Sequence, residues 1–224
     1  NIKKDITTYL STELENLGLS KSDVNEWVIT SQNESKKFGL TYVYTNQQYN
    51  GVEIHNAVNN YIIQNGKVIL TGDRFERNIE SRINTTDAVL SEYLAIEFAA
   101  KQLDLGNPGD LTIEAVQDKV STYKESSLSR IEIPVKPVYF ELDNGDLRLA
   151  WDLSLEIPDG DHYWSVRIDA VTGELIDKTD WMVSCQFETD GSCSQGHSHS
   201  SKVEQMVSAP APPPSTDAYN VFAI

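Results

Sequence analysis

The strongest constraint on the fold is a strict alternation of apolar and polar residues within residues 150–183. Apolar side chains occupy every second position in two runs, first Trp151, Leu153, Leu155 and Ile157 and then Trp164, Val166 and Ile168. A period of two places the apolar residues of each run on one face of a β-strand. The sequence between the runs, Pro158-Asp-Gly160, is turn-forming, so the pattern predicts an antiparallel hairpin. Asp169-Ala-Val-Thr-Gly173 then turns the chain into a further strand.

The rest of the chain repeats one theme twice, a helix followed by strands. An amphipathic helix is predicted over residues 5–17 and ends at Gly18, and a second is predicted over residues 86–105. We expect Thr86 or Asp87 to cap the second helix and Leu90, Leu94 and Phe98 to form its buried stripe. Strands are predicted near residues 27–29, 40–44, 52–63, 67–70, 111–116, 133–141, 147–157, 163–170 and 174–177. Asn65-Gly66 is predicted to form a type I′ hairpin turn between the third and fourth of them. The predicted fold class is therefore α+β, with two successive helix-plus-antiparallel-sheet modules.

The two predicted modules are followed by a tail of different composition. Residues 184–218 are rich in Ser, Cys, His and Pro, and the sequence APAPPPS at residues 209–215 is typical of an extended polyproline-type linker. The last residues, YNVFAI at 219–224, are apolar again and look like the start of a strand. We therefore predict domains over residues 1–80 and 81–183, a linker over 184–218, and a further strand over 219–224.

Charge and cysteine content narrow the functional classes. The chain has 34 acidic and 18 basic residues and a formal net charge of −16, which argues against binding a nucleic-acid backbone. No apolar run approaches the length of about 18 residues that a membrane span needs. The two cysteines, Cys185 and Cys193, are predicted to form a disulfide, which requires an oxidising compartment.

The same tail offers a second interpretation, because thiolate and imidazole are ligands that zinc and copper prefer. Cys185 and Cys193 lie close in sequence to His197 and His199. The long spacing between the cysteines is unlike that of a zinc knuckle, so metal binding by His197 and His199 ranks behind the disulfide. A further alternative is that one of these histidines reaches the catalytic zinc of a partner enzyme.

Two motifs resemble the prosegments of secreted zinc metallopeptidases. The sequence YVYTNQQYNGVEI at residues 42–54, with NGKV at 65–68, resembles the fungalysin/thermolysin propeptide motif, FTP. The sequences LAWD at 149–152 and DAVTGE at 169–174 resemble the PepSY module. Residues 219–224 are similar to the first strand of a mature fungalysin-type peptidase. The order of the two motifs and the linker that follows them both resemble the prosegment of a fungalysin-type peptidase.

This resemblance implies a pro-domain that assists folding of a secreted metallopeptidase and keeps it inactive until cleavage between about residues 194 and 219. No HExxH sequence occurs, so the chain is expected not to be an enzyme and to hold no cofactor. The catalytic zinc is then expected in the parent peptidase domain, the partner in cis. Gln48, Gly51, Asp169 and Gly173 are the candidate partner contacts, although Asp169 and Gly173 also suit turns without any contact.

Two other functions remain open from the sequence. One is a freestanding extracellular binding module of the PepSY type with no attached peptidase. The other is metal sequestration by the Cys/His tail.

Overall fold

A computed structural model of the protein describes residues 1–182 as three helices and ten strands. The helices are α1 (Ile2–Leu17), α2 (Ile79–Arg82) and α3 (Glu92–Gln102). The strands of the first half are β1 (Glu26–Ser35), β2 (Leu40–Tyr49), β3 (Val52–Gln64) and β4 (Lys67–Thr71). Those of the second half are β5 (Ile113–Gln117), β6 (Val120–Tyr123), β7 (Ile133–Glu141), β8 (Leu147–Glu156), β9 (Tyr163–Asp169) and β10 (Leu175–Asp180). The fold is mixed α/β and mostly sheet.

Helix α1 confirms the first predicted helix and its stop signal. Its start is capped by the Asn1 side chain, whose Oδ1 accepts a hydrogen bond from the Lys3 N–H at 3.1 Å. Gly18 ends it in the left-handed conformation, with φ 66°, which a glycine adopts at little steric cost. Ile6 and Leu10 are buried against β1–β4.

The second long helix begins later than the sequence indicates, so Thr86 and Asp87 are not its cap. The cap is Ser91, whose Oγ accepts a hydrogen bond from the Leu94 N–H at 3.3 Å. The preceding residues are instead held against the turn after β9, because the N–H groups of Val89 and Leu90 both donate to the Ala170 carbonyl at 3.0 and 2.9 Å. Tertiary hydrogen bonds here override the local helical pattern.

The buried stripe of α3 also differs from the predicted one. Leu90 precedes the helix, and Leu94 is 38% exposed. The fully buried side chains of α3 are Ala95, Ile96, Ala99 and Ala100. Phe98 is partly buried and packs against the same core. The helix therefore rests on the sheet through small residues, which bring it close.

One strand was missing from the sequence interpretation. Strand β6 pairs with β5 through a two-residue turn at Asp118 and Lys119, whose φ angles are 49° and 67°. Positive φ at both positions is the signature of a hairpin turn that usually contains glycine. The Asn65-Gly66 turn between β3 and β4 does contain one and has φ angles of 51° and 72°, as the sequence predicts.

All ten strands belong to one sheet. The main strand order is β1-β2-β3-β7-β8-β9-β10, with β4 paired to β3 and the β5–β6 ribbon paired to β7. The halves meet where β3 runs parallel to β7, with Glu53 opposite Val138 and Ile54 opposite Tyr139. One hydrophobic cluster packs α1 against β1–β4, and a larger one packs α3 against β7–β9 and part of β3. The proposed domain boundary at residue 80 remains a prediction, because a single sheet runs through both halves.

No helix among residues 1–182 is long and apolar enough to cross a bilayer. The predicted linker and final strand lie outside the described residues.

Candidate interaction surfaces

The turn between β9 and β10 is closed by its own aspartate. Asp169 is 3% exposed, and its Oδ1 accepts hydrogen bonds from the N–H groups of Val171 and Thr172 at 2.8 and 2.9 Å. Its Oδ2 lies 3.4 Å from the Arg148 guanidinium. The Gly173 N–H donates to the Asp169 carbonyl at 2.9 Å. The carboxylate thus satisfies the backbone of its own turn.

The same turn is fastened to α3. Gly173 has φ 77°, and a Cβ at this position would lie 2.8 Å from the Phe98 ring. The Gln102 amide bridges the turn, since its Nε2 donates to the Gly173 carbonyl and its Oε1 accepts from the Leu175 N–H, both at 2.9 Å. Asp169 and Gly173 are therefore buried within the protein.

Gln48 and Gly51 lie together at the other candidate position, the turn between β2 and β3. Gly51 is exposed, has φ 67°, and donates its N–H to Glu26 Oε2 at 2.7 Å. Its carbonyl accepts a hydrogen bond from Lys119 Nζ at 2.9 Å, and the carbonyl of Asn50 accepts another at 3.1 Å. Gln48 is half-buried and lies opposite Glu26 in the ladder. The four candidate contacts thus divide between two different turns.

A neighbouring glutamine that sequence reasoning passed over has the larger structural role. Gln47 is fully buried, and its Nε2 donates to the carbonyls of Asp23 and Glu76 at 2.7 and 2.9 Å. Its Oε1 accepts a hydrogen bond from the Glu76 N–H at 2.7 Å. The side chain thus ties β2 to the segment that leads into the second half. Gln47 follows Val43 and Thr45 on the buried face of β2. A polar side chain on that face needs hydrogen-bond partners, and this is the feature of the sequence that could have indicated its role.

Asp23 completes this network. It is fully buried, and its Oδ1 and Oδ2 accept hydrogen bonds from the N–H groups of Ile79 and Ser20 at 3.0 and 2.8 Å. Burial on its own raises the pKa of Asp23, but the hydrogen bonds from Ser20 and Ile79 outweigh it and the pKa is lowered. The carboxylate therefore stays ionised and joins α2 to the loop before β1.

The face of the sheet away from α1 and α3, here termed the distal face, carries a row of alternating charges. Register places Lys136, Asp152 and Arg167 opposite one another on β7, β8 and β9. The row continues to Asp177 on β10, 2.9 Å from Arg167, and to Glu53 on β3, 2.7 Å from Lys136. Arg167 also lies 3.1 Å from Asp152. Each charge has an opposite neighbour, so the row joins the two halves rather than attracting one kind of ion.

His55 lies at the junction of the halves, within this charged region. Its ring contacts the Phe140 ring at a centroid distance of 5.4 Å. The pKa of His55 is lowered, first by burial and then by the positive charge of Arg167, with Lys136 acting in the same direction and Asp152 and Asp177 against it. The imidazole is therefore held in its neutral form.

In the first half the distal face carries a group of apolar side chains among polar ones, with Asn60 opposite Tyr44 and Asn46 opposite Val58. Tyr44, Val58 and Leu70 are 43, 37 and 52% exposed on β2, β3 and β4. Tyr42 and Ile62 are partly exposed and lie opposite each other in the ladder, and Ile62 also lies opposite Leu70. These five residues form a surface that lies away from α1 and is suited to protein contact.

The predicted disulfide of Cys185 and Cys193 and the predicted metal ligands His197 and His199 lie outside the described residues. Among residues 1–182, no group of three or more His, Cys, Asp or Glu side chains is arranged to hold a metal ion.

Comparison with known families gives a match within the second half. Residues 111–179 match the PepSY family, described as "Peptidase propeptide and YPEB domain". The match extends from just before β5 into β10 and includes the Asp169–Gly173 turn. This part of the chain is thus similar to the PepSY family.

Similarity of the chain to solved structures and to curated proteins is low. Among solved structures, the Bacillus megaterium YpeB C-terminal domain aligns with a TM-score of 0.34 and 11% sequence identity, covering 80% of this chain and 66% of that domain. A comparison with curated proteins gave no match to the chain.

Proposed function

We propose that this protein is the pro-domain of a secreted zinc metalloendopeptidase of the fungalysin type, acting as its folding chaperone and its inhibitor. The observation that carries this proposal is the PepSY match over residues 111–179, because the family description names peptidase propeptides. The FTP-like motif in residues 42–54 supports the same reading. Zinc belongs to the parent peptidase domain, which is the partner in cis, and proteolysis between about residues 194 and 219 releases it.

The two candidate turns are proposed to have different roles, one in the fold of the protein and the other in contact with the peptidase. Asp169 and Gly173 spend their hydrogen-bonding groups within the protein, so we assign them to shaping the module and, through that shape, the surface it presents. Gly51 is exposed, although its backbone groups bind Glu26 and Lys119, and the half-buried Gln48 lies at the same end of β2, so these two are the better candidates for direct contact with the peptidase. The apolar surface formed by Tyr42, Tyr44, Val58, Ile62 and Leu70 is proposed as the adjoining contact area.

A second function is favoured by the other half of the family description, which names the YPEB domain as well as propeptides. In this alternative the chain is a freestanding extracellular binding module. The two functions differ in one simple respect, since a pro-domain needs a catalytic domain in the same precursor.

The first test is therefore to read the coding sequence past residue 224. We expect an HExxH helix about a hundred or more residues further on, as the two-histidine zinc site of such peptidases requires. The second is to refold that catalytic domain from denaturant with and without this chain. A pro-domain raises the recovered peptidase activity, whereas an absent HExxH or an unchanged recovery favours the binding module.

A further inference from the structure

Strand β5 is the outermost strand on its side of the sheet. Within residues 1–182 it pairs with β6 alone, and all five of its residues are exposed. Such a strand presents backbone N–H and C=O groups along its outer edge, which is the template for adding a strand from another chain. The sequence of β5 contains no proline or lysine, residues that commonly block such an edge.

A bulge in β5 concentrates its apolar side chains. Ile113 lies opposite Tyr123 and Ala115 lies opposite Thr122, so Glu114 is an extra residue in the ladder. Val116 lies opposite Ser121, and Ser121 and Tyr123 share one face of β6. The bulge therefore brings Ile113 and Val116 to the same face, where they are 49% and 67% exposed. Ile113 and Val116 therefore form an exposed apolar surface beside the buried residues of β6.

The sequence around this edge is mainly acidic, since residues 110–132 hold five acidic side chains and three basic ones, Lys119, Lys124 and Arg130. Glu114 raises the pKa of Glu132 through its side chain and its charge, and burial and the charge of Glu125 act in the same direction. None of these three glutamates forms an ion pair with a basic side chain within the described part of the chain. An added cation is favoured beside carboxylates that lack a basic partner.

The ribbon formed by β5 and β6 is also held in place. Lys119, at its tip, donates hydrogen bonds to two carbonyls of the turn between β2 and β3. Its other end is joined to β7, where Tyr123 lies opposite Ile133. A strand that is fixed before binding loses less conformational freedom when a partner adds to it.

We propose that the edge of β5 binds an extended, basic segment of a partner protein by strand addition. The partner's Lys or Arg side chains face Glu114 and Glu132, and its apolar side chains cover Ile113 and Val116. A second copy of this chain is the less suitable occupant, because it would bring two sets of glutamates together on proteins of net charge −16. The inference does not depend on the partner being a peptidase.

The probe is a short, capped, fluorescent peptide in which lysine and valine alternate, titrated with the purified chain in low salt. We expect saturable binding that weakens in high salt, and no binding of the same peptide with glutamate in place of lysine. Val116→Lys, which places a charge at the edge, should weaken binding about tenfold. Its matched control is Val89→Lys, because Val89 is 71% exposed and lies outside β5, and it should leave binding within about twofold.

A second pair of variants tests the charge. Glu114→Gln with Glu132→Gln should weaken binding about fivefold, while the control double variant Glu15→Gln with Glu174→Gln should not, although both change the net charge equally. Amide hydrogen exchange should slow in residues 113–117 on peptide binding. The proposal is overturned if the peptide does not bind saturably, or if Val116→Lys and Val89→Lys bind alike. It is also overturned if the free chain dimerises and Val116→Lys abolishes the dimer. Peptidase inhibition is measured separately, so either proposal can fail alone.

Discussion

The two halves of the sheet are stabilised in different ways. In each, a helix precedes an antiparallel meander, of strands β1–β4 in the first half and β5–β10 in the second. The last turn of the second meander, Asp169 to Gly173, is buried and fastened to α3, whereas the corresponding Asn65-Gly66 turn is exposed and nothing lies within 4 Å of a Cβ added at Gly66. The first half is held instead by the buried Gln47 and Asp23.

This difference separates residues that shape a module from those available to a partner. Where a turn packs against the helix, as at Asp169 to Gly173, its hydrogen bonds serve the fold. Where a turn is exposed to solvent, as at Gly51, its surface is accessible to a partner even though its backbone groups are hydrogen-bonded. The following predictions test that distinction, beginning with the largest effect.

The largest effect is expected at the network of the first half. Gln47→Ala leaves the Glu76 N–H and two carbonyls without their partner, and we expect the free energy of unfolding to fall by about 3 kcal/mol, since each orphaned buried group costs about 1–3 kcal/mol. Urea denaturation measures it. Gln48→Ala is the matched control, with an expected change within about 0.5 kcal/mol because Gln48 is half-buried at the strand end. Equal losses at the two positions would contradict the assignment.

The next effect compares the two corresponding turns. Both glycines have positive φ, so an alanine at either one carries a backbone cost of about 1–2 kcal/mol. Gly173→Ala must also displace the Phe98 ring, adding about 1–3 kcal/mol. We expect Gly173→Ala to lower the thermal midpoint clearly more than Gly66→Ala. Similar midpoints for the two variants would show that the packing on α3 is not what distinguishes the turns.

A smaller effect is expected where the two halves touch. Lys119→Met retains the length of the side chain but removes the hydrogen bonds to the carbonyls of Asn50 and Gly51, at a cost of about 1 kcal/mol. Amide exchange should quicken in the turn between β2 and β3 and in the β5–β6 ribbon, without change around Asn65. If exchange at both contact regions is unaltered, Lys119 does not hold the halves together.

The smallest effect is a dependence on pH at the junction. The pKa of His55 is lowered in the folded protein, so the unfolded chain binds more protons near its own pKa of about 6.5. This contribution to stability is complete above that pH and is lost as the pH falls below it. We expect His55→Gln to reduce the decline in urea midpoint between about pH 7.5 and 5. An identical decline in the two proteins would exclude His55 as its source.

The parts of the fold that sequence predicted are those that local chemistry decides. The helix end predicted at Gly18 and the turn predicted at Asn65-Gly66 were correct, because a helix stop and a hairpin turn depend on the φ angles of one or two residues. The alternation in β8 and β9 was equally local. The predicted start of α3 was wrong because the carbonyl of Ala170, which is distant in sequence, accepts hydrogen bonds from the N–H groups of residues 89 and 90.

The candidate contact residues were harder to predict, because their environment also depends on contacts between residues that are distant in sequence. The Asp118-Lys119 turn lacks glycine, so its left-handed backbone depends on surrounding contacts, including those of Lys119 with the turn between β2 and β3. Gln47 and Gln48 are adjacent and chemically identical, and only the register of β2 decides which is buried. Partner contact at Gln48, Gly51, Asp169 and Gly173 remains a prediction.

The most direct test of the proposed function is titration of this chain against the catalytic domain of its own precursor, with hydrolysis of a peptide substrate as the readout. We predict a saturable loss of peptidase activity that is complete near one chain per peptidase. A positive charge introduced at the contact candidates, by Gln48→Lys or Tyr44→Lys, should weaken inhibition while leaving the urea midpoint unchanged. Full peptidase activity in the presence of a large excess of the folded chain would contradict the account.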